Sequence, residues 1–247
     1  MPMQSDPKEF LKFYRDLHRH VLEKTYHATK GVVQAGPFKN MKIHPQFANG
    51  FGDTAGRLMG FYEDYLYPTI ETALNHRHDI MLNVGCAEGY YGVGWGMRKP
   101  ETPIVLIDKN PKAINIAIEN AKLNHVNNYV VSEDSSPQAI ENFIKHKTAP
   151  FVLVDIEGGE EALLSLSAVP SLQTATILVE SHECFVAGIT QRMIQNLSSS
   201  HDAKIISQKG KDPYLDITKD WQDLEKLVLC DEGRPSTMEW IYFTPKK

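Results

Sequence analysis

Met81-Leu82-Asn83-Val84 runs directly into Gly85-Cys86-Ala87-Glu88-Gly89-Tyr90-Tyr91-Gly92-Val93-Gly94-Trp95-Gly96, an apolar run entering a glycine-rich turn and then a helical pattern. Open α/β sheets use such a corner to bring backbone close to a nucleotide-like ligand. A dinucleotide fingerprint requires Gly-x-Gly-x-x-Gly. Starting at Gly85 gives Gly, Ala, Tyr, and starts at Gly92 and Gly94 end on Met97 and Lys99, so no register fits. Gly85 and Gly89 instead form Gly-x-x-x-Gly, a wider turn suited to the ribose and carboxypropyl arm of S-adenosylmethionine (SAM). Gly89, Gly92 and Gly96 then recur on one helical face, where each costs about 1 kcal/mol relative to alanine unless close packing offsets it.

Asp108 strengthens this reading. It ends the next apolar run, 23 residues after Gly85, where an acid can accept hydrogen bonds from both ribose hydroxyls. The same carboxylate could simply cap the helix that begins near Pro111. After the third run, Ser132-Glu133-Asp134-Ser135-Ser136 offers an acid and hydroxyls at the same sheet edge. Asp134 and Ser135 are candidates for the adenine end of the cofactor, and Asp134 is equally a helix cap before Pro137.

Outward from this corner, Ile80–Val84, Ile104–Ile107, Tyr129–Val131, Phe151–Val154, Ile177–Val179, Ile205–Ile206 and Trp240–Phe243 read as seven strands. The first five are separated by roughly 18–25 residues, enough for crossover helices and far more than a hairpin needs. The expected fold is a Rossmann-like, doubly wound α/β sheet, mostly parallel, with an antiparallel C-terminal strand. Residues 1–78 precede it as a helical extension and cover. Within them Pro7–Tyr26 is an amphipathic helix, Ala35–Gly56 is turn-rich, and a second helical pattern spans about Leu58–Leu74. Residues 79–247 form the core, and the whole is expected to fold as one unit.

Composition excludes several classes. Apolar content of 42% and charged content of 23% are ordinary for a globular domain. Cys86, Cys184 and Cys230 are too scattered for a disulfide framework or a zinc ribbon. Met1–Tyr14 lacks the apolar core of a signal peptide and no stretch has the length of a membrane span, so the expected location is the cytoplasm. The first fifty residues hold 8 Lys/Arg against 4 Asp/Glu, and the remainder carries a formal −9 of the net −5. Such a body repels bare nucleic acid, and the expected partner is a small-molecule acceptor.

Three segments, Asn83–Tyr91, Asp155-Ile156-Glu157-Gly158-Gly159-Glu160 and Leu178-Val179-Glu180-Ser181-His182-Glu183, resemble the FkbM-type methyltransferases, a class I SAM-dependent family. The middle segment resembles that family's Asp-Val-Glu-Gly-x-Glu motif and is the most specific. Gly36–Met41 with Gly60-Phe61-Tyr62-Glu63 looks like the front extension of a bacterial branch. The likeness covers residues 79–200 well and fades beyond Gly210. One departure is Asn83, where many class I enzymes carry an acid. The resemblance implies SAM as cofactor and O-methylation of hydroxyls on sugars, polyketides or similar metabolites.

Asp108, Asp134, Asp155, Glu157, Glu180 and His182 all fall at the carboxyl edge of the expected sheet, where ligands of open α/β folds bind. Crowded carboxylates raise one another's pKa, which costs stability unless something compensates. On this reading Gly85, Cys86, Ala87, Glu88 and Gly89 form the cofactor turn, Glu157 meets the SAM ammonium, and the Tyr62 hydroxyl reaches the methionine carboxylate. His182, Asp155 and Glu180 act on the acceptor, His182 as the expected base and Asp155 as orienter or alternative base. Two other readings use the same residues. A divalent cation held by Asp155, Glu157, Glu180 and His182 would assist deprotonation, and a SAM- or metabolite-binding module would bind without turnover.

Overall fold

The computed structural model describes residues 6–46, 52–211, 215–234 and 236–246. Seven strands, β1 (Ile80–Val84), β2 (Ile104–Ile107), β3 (Tyr129–Ser132), β4 (Pro150–Val154), β5 (Thr176–Ser181), β6 (His201–Ser207) and β7 (Glu239–Pro245), form one sheet in the order β3-β2-β1-β4-β5-β7-β6. The first five pair in parallel. β7 slots between β5 and β6, antiparallel to both. β1 and β4 are buried along their whole length, as expected of central strands covered on both faces. β6 is an edge strand, mostly exposed, and runs well beyond the apolar pair Ile205–Ile206 that marks it in sequence.

The helices are α1 (Pro7–Thr29), α2 (Gly52–Met59), α3 (Tyr67–Asn75), α4 (Tyr90–Arg98), α5 (Pro111–Leu123), α6 (Pro137–Ile144), α7 (Glu160–Leu163), α8 (Ile189–Leu197) and α9 (Asp223–Cys230). Residues of α6, α7 and α8 pack on one sheet face with Leu82, Val105, Val152 and Ile177. The opposite face, with Met81, Leu106, Phe151 and Leu178, is covered by α4 and α5 together with the N-terminal segment and α9. No described helix is long and apolar enough to cross a membrane.

The continuous helix expected over Leu58–Leu74 is broken. Gly60 turns left-handed at φ +80° and its N–H closes on Gly56. A 3₁₀ turn follows at Asp64–Leu66, and Pro68 opens α3, where a proline is favoured because its missing N–H has no helical partner to lose. The break leaves Tyr62 and Glu63 outside any α-helix, facing the carboxyl edge of the sheet.

Candidate active site

Strand register places the ends of β1, β2 and β4 side by side, with Val84 opposite Ile107 and Val154. Gly85, Asp108 and Asp155 therefore leave the sheet together. Gly85 has φ +78°, and a Cβ there would lie 1.6 Å from the Asp155 carbonyl oxygen, so no other residue permits this approach. Farther along α4, a Cβ on Gly92 would sit 2.3 Å from Leu106 and one on Gly96 would sit 2.5 Å from Val126. Close helix–sheet packing thus offsets the glycines' low helix propensity. Asn83 is buried and its Oδ1 accepts the Gly92 N–H at 3.0 Å, a neutral anchor for the start of α4.

Asp108 ties the turn to β2. Its Oδ2 accepts from the Ala87 N–H at 2.8 Å and its Oδ1 from the Asn110 N–H at 2.8 Å. The cap of α5 is Asn110, not Asp108. A cleft of about 320 Å³ opens here, lined by Gly85, Ala87, Ile107, Asp108, Lys109, Ser135, Asp155, Ile156, Glu157 and Gly159. Cys86, Glu88, Gly89 and Asp134 stand outside this lining. The Cys86 thiol is buried, and burial followed by the charge of Asp108 pushes its pKa up. Glu88 turns into the N-terminal segment and pairs with Arg57 at 2.9 Å. Gly89 precedes α4 with φ +82°. Asp134 is exposed and accepts the Ser136 N–H at 2.8 Å, and the cap of α6 is Ser136 rather than Asp134.

A second cavity of about 190 Å³ adjoins the cleft, lined by Tyr62, Asp155, Glu157, Glu180, His182, Phe185, Glu232, Gly233, Arg234 and Met238. Asp155 and Glu157 line both. His182 is buried at the end of β5, its ring stacked on Phe185. Its Nδ1 lies 2.7 Å from Glu160 Oε1, and the same oxygen accepts the Ile156 N–H at 3.2 Å and the Gly158 N–H at 3.1 Å. One buried carboxylate therefore fixes both the histidine ring and the loop after β4. In that loop Glu157 adopts φ +57°, uncommon for a residue with a side chain.

Burial disfavours the charged imidazole, but hydrogen bonds to Glu160 and Glu180 and their charges prevail, raising the His182 pKa to about 10. The ring thus holds a second proton at neutral pH, which a simple general base must lack. Burial, then the charges of Glu180 and Glu63, push the Asp155 carboxyl well above the usual carboxylate range. Glu180 is lowered: burial works against its charge, and the hydrogen bond to His182 and the Arg234 guanidinium outweigh it.

The cover converges on Arg234, whose guanidinium bonds Glu63, Glu180 and Glu232 and lies 3.5 Å from the Tyr62 hydroxyl. Glu63 is fully buried, and burial lifts its carboxyl to about 8 against the pull of Arg234. The Tyr91 hydroxyl donates to Glu63, and Lys211 pairs with Glu232. The long connection before β7 is thereby fastened to the N-terminal segment and to β5. Tyr62 lines the second cavity, its ring edge-on to Tyr90 with Arg57 stacked 4.6 Å over it. Tyr62 is thus packed into the cover and faces the cavity at once.

No family model matches the chain, and no curated protein matches it in sequence. Several solved structures are similar to it. Precorrin-6y C5,15-methyltransferase from Geobacter metallireducens superposes at TM-score 0.53 with 11% identity, over 84% of this chain and 97% of that one. A precorrin 8w decarboxylase of Methanobacterium thermoautotrophicum gives TM-score 0.49 with 16% identity, over 82% and 95%. A SAM-dependent O-methyltransferase from Thermotoga maritima gives 0.49 with 9% identity, over 76% and 67%. The first of these supports a Rossmann-like methyltransferase fold for the sheet and its helices.

Sequence reasoning missed Glu232, Arg234 and Lys211, which lie in a polar connection with no periodicity or motif to single them out. Glu160 and Glu63 stand inside quoted segments, and only their burial reveals them as structural centres.

Proposed function

We propose that the chain is a SAM-dependent methyltransferase of FkbM type that methylates a hydroxyl of a small metabolite. One observation carries this reading: the cleft beside the glycine turn and the second cavity meet at Asp155 and Glu157. A methyl donor in the first and an acceptor in the second would face each other across those two side chains. In-line displacement from a sulfonium needs that alignment, a destination for the acceptor proton, and exclusion of water.

SAM lies in the cleft in this reading, its ribose hydroxyls donating to Asp108 and its ammonium and sulfonium near Glu157 and Asp155. The acid-rich wall favours a cationic cofactor over its neutral-sulfur product. His182, Asp155 and Glu180 act on the acceptor. The carboxylates orient the hydroxyl and receive its proton, and the imidazole, held by Glu160, balances their charge. The motif from Asp155 to Glu160 supports the FkbM assignment.

Calorimetry with SAM and S-adenosylhomocysteine, followed by transfer of a labelled methyl group to a panel of hydroxylated metabolites, tests the proposal. Binding of both ligands and label in an acceptor are expected. Binding without transfer to any acceptor would favour a binding module, and stabilisation by NAD in place of SAM would overturn the reading altogether.

A further inference from the structure

His182 Nε2 faces three carboxylate oxygens: Glu180 Oε2 at 3.3 Å, Glu157 Oε2 at 3.4 Å and Asp155 Oδ1 at 3.6 Å. These separations exceed the roughly 2.7–2.9 Å of a charge-assisted hydrogen bond. Two of them match the roughly 3.0–3.4 Å that neighbouring ligands keep when each sits about 2.1 Å from one ion, and the Asp155 separation lies just beyond it. One ring nitrogen also cannot donate to three acceptors. Glu180 has a second cation in Arg234. Asp155, Glu157 and His182 each offer one ligand atom, all within 4.8 Å of one another.

A separate observation points the same way. Glu160, wholly buried, takes the Nδ1 side of His182 at 2.7 Å, which fixes Nε2 toward the carboxylates. A histidine that ligates a metal almost always has such a partner on its other nitrogen. The protein ligands also leave one side open: the His182 side chain is 1% exposed, while Asp155 is 29% and Glu157 71%.

We infer that Asp155, Glu157 and His182 form a binding site for one divalent cation of the Mn²⁺ class, which on binding displaces the Nε2 proton that the His182 ring otherwise holds. A mixed imidazole and carboxylate set, without thiolate, suits such an ion better than an all-oxygen site for Ca²⁺. The open side faces the wall shared by the two cavities, where an oxygen of the acceptor can complete the coordination. That last role rests on the methyltransferase reading, whereas the cation site itself does not.

The test is titration of chelator-treated protein with Mn²⁺, following the six-line electron paramagnetic resonance signal of the free ion. Loss of that signal up to one equivalent is expected for the wild type. Glu157→Gln, at an exposed side chain, and Asp155→Asn should each weaken Mn²⁺ binding at least tenfold. No loss of free signal, or equal binding in wild type and Glu157→Gln, would overturn the site. SAM calorimetry on the same chelated sample separates the two conclusions. SAM binding without Mn²⁺ binding removes the cation site and leaves the methyltransferase reading, and Mn²⁺ binding without SAM binding does the reverse.

Discussion

Asp108 has a structural role that leaves it able to accept from a ligand as well. Both its oxygens already accept backbone N–H groups, from Ala87 and Asn110, yet each carboxylate oxygen has two lone pairs and can accept again. Asp108→Asn keeps the shape, removes the charge and sets an NH₂ against one of those N–H donors. A lost charge-assisted pair is worth about 1.5–3 kcal/mol, so SAM affinity should fall by about 10–150-fold. An unchanged dissociation constant in calorimetry, with the circular dichroism spectrum intact, would remove Asp108 from the cofactor site. The place of such residues at the sheet edge was legible because their signals are local: a glycine pair after a strand, an acid at the next strand end, and His182 two residues after Glu180. Arg234 was not. Its meaning comes from Glu63 and Glu180, 171 and 54 residues away, and no spacing rule links such distances.

At the level of elements, the amphipathic pattern of α1 announced a packed helix without naming its partner. The partner is α9. Lys24 Nζ reaches Glu225 at 2.7 and 2.8 Å, His20 lies 2.9 Å from it, and His18 lies 3.3 Å from Asp231. Burial of Glu225 opposes its charge, but Lys24, the Gln222 N–H and His20 prevail and hold its pKa at about 2, against 4.5 in the unfolded chain. The unfolded state thus takes up this proton more readily. The stabilisation is fully present above about 4.5 and is lost as the pH falls toward 2. Glu225→Gln should therefore lower stability by about 1 kcal/mol at pH 7, the lysine and histidine being partly exposed and screened. This corresponds to roughly 2–4 °C in melting temperature. Melts at pH 7, 4.5 and 3 should show the gap between variant and wild type closing with acid. A gap of constant size would mean that packing, not charge, holds α1 on α9. The break between α2 and α3 was written in Gly60 and Pro68, but the apolar period across them masked it.

For the whole molecule, the decisive fact is that the segment before β1 shares a core with the sheet. Val21, Phe38, Met41, Leu58, Leu66 and Ile70 belong to the same buried cluster as Met81, Trp95, Phe151 and Trp240. The cover is also fastened electrostatically, since Arg234 joins Glu63 of the N-terminal segment to Glu180 of β5. Neither half can leave without exposing that cluster and stranding buried charge, so unfolding should be one event. All three tryptophans, Trp95, Trp221 and Trp240, lie in the shared cluster, which makes their emission a direct probe of it. Thermal melts followed by tryptophan emission and by far-ultraviolet circular dichroism should coincide. A ligand bound between sheet and cover should stabilise the whole by mass action. SAM at about 100 times its dissociation constant contributes about 2.7 kcal/mol, which for a chain of this size raises the midpoint by roughly 5–11 °C. Both probes should move together. If emission changes before the circular dichroism does, or SAM shifts only one of the two, the segment before β1 opens independently of the sheet and cannot seal the methyl-transfer site by remaining folded on it.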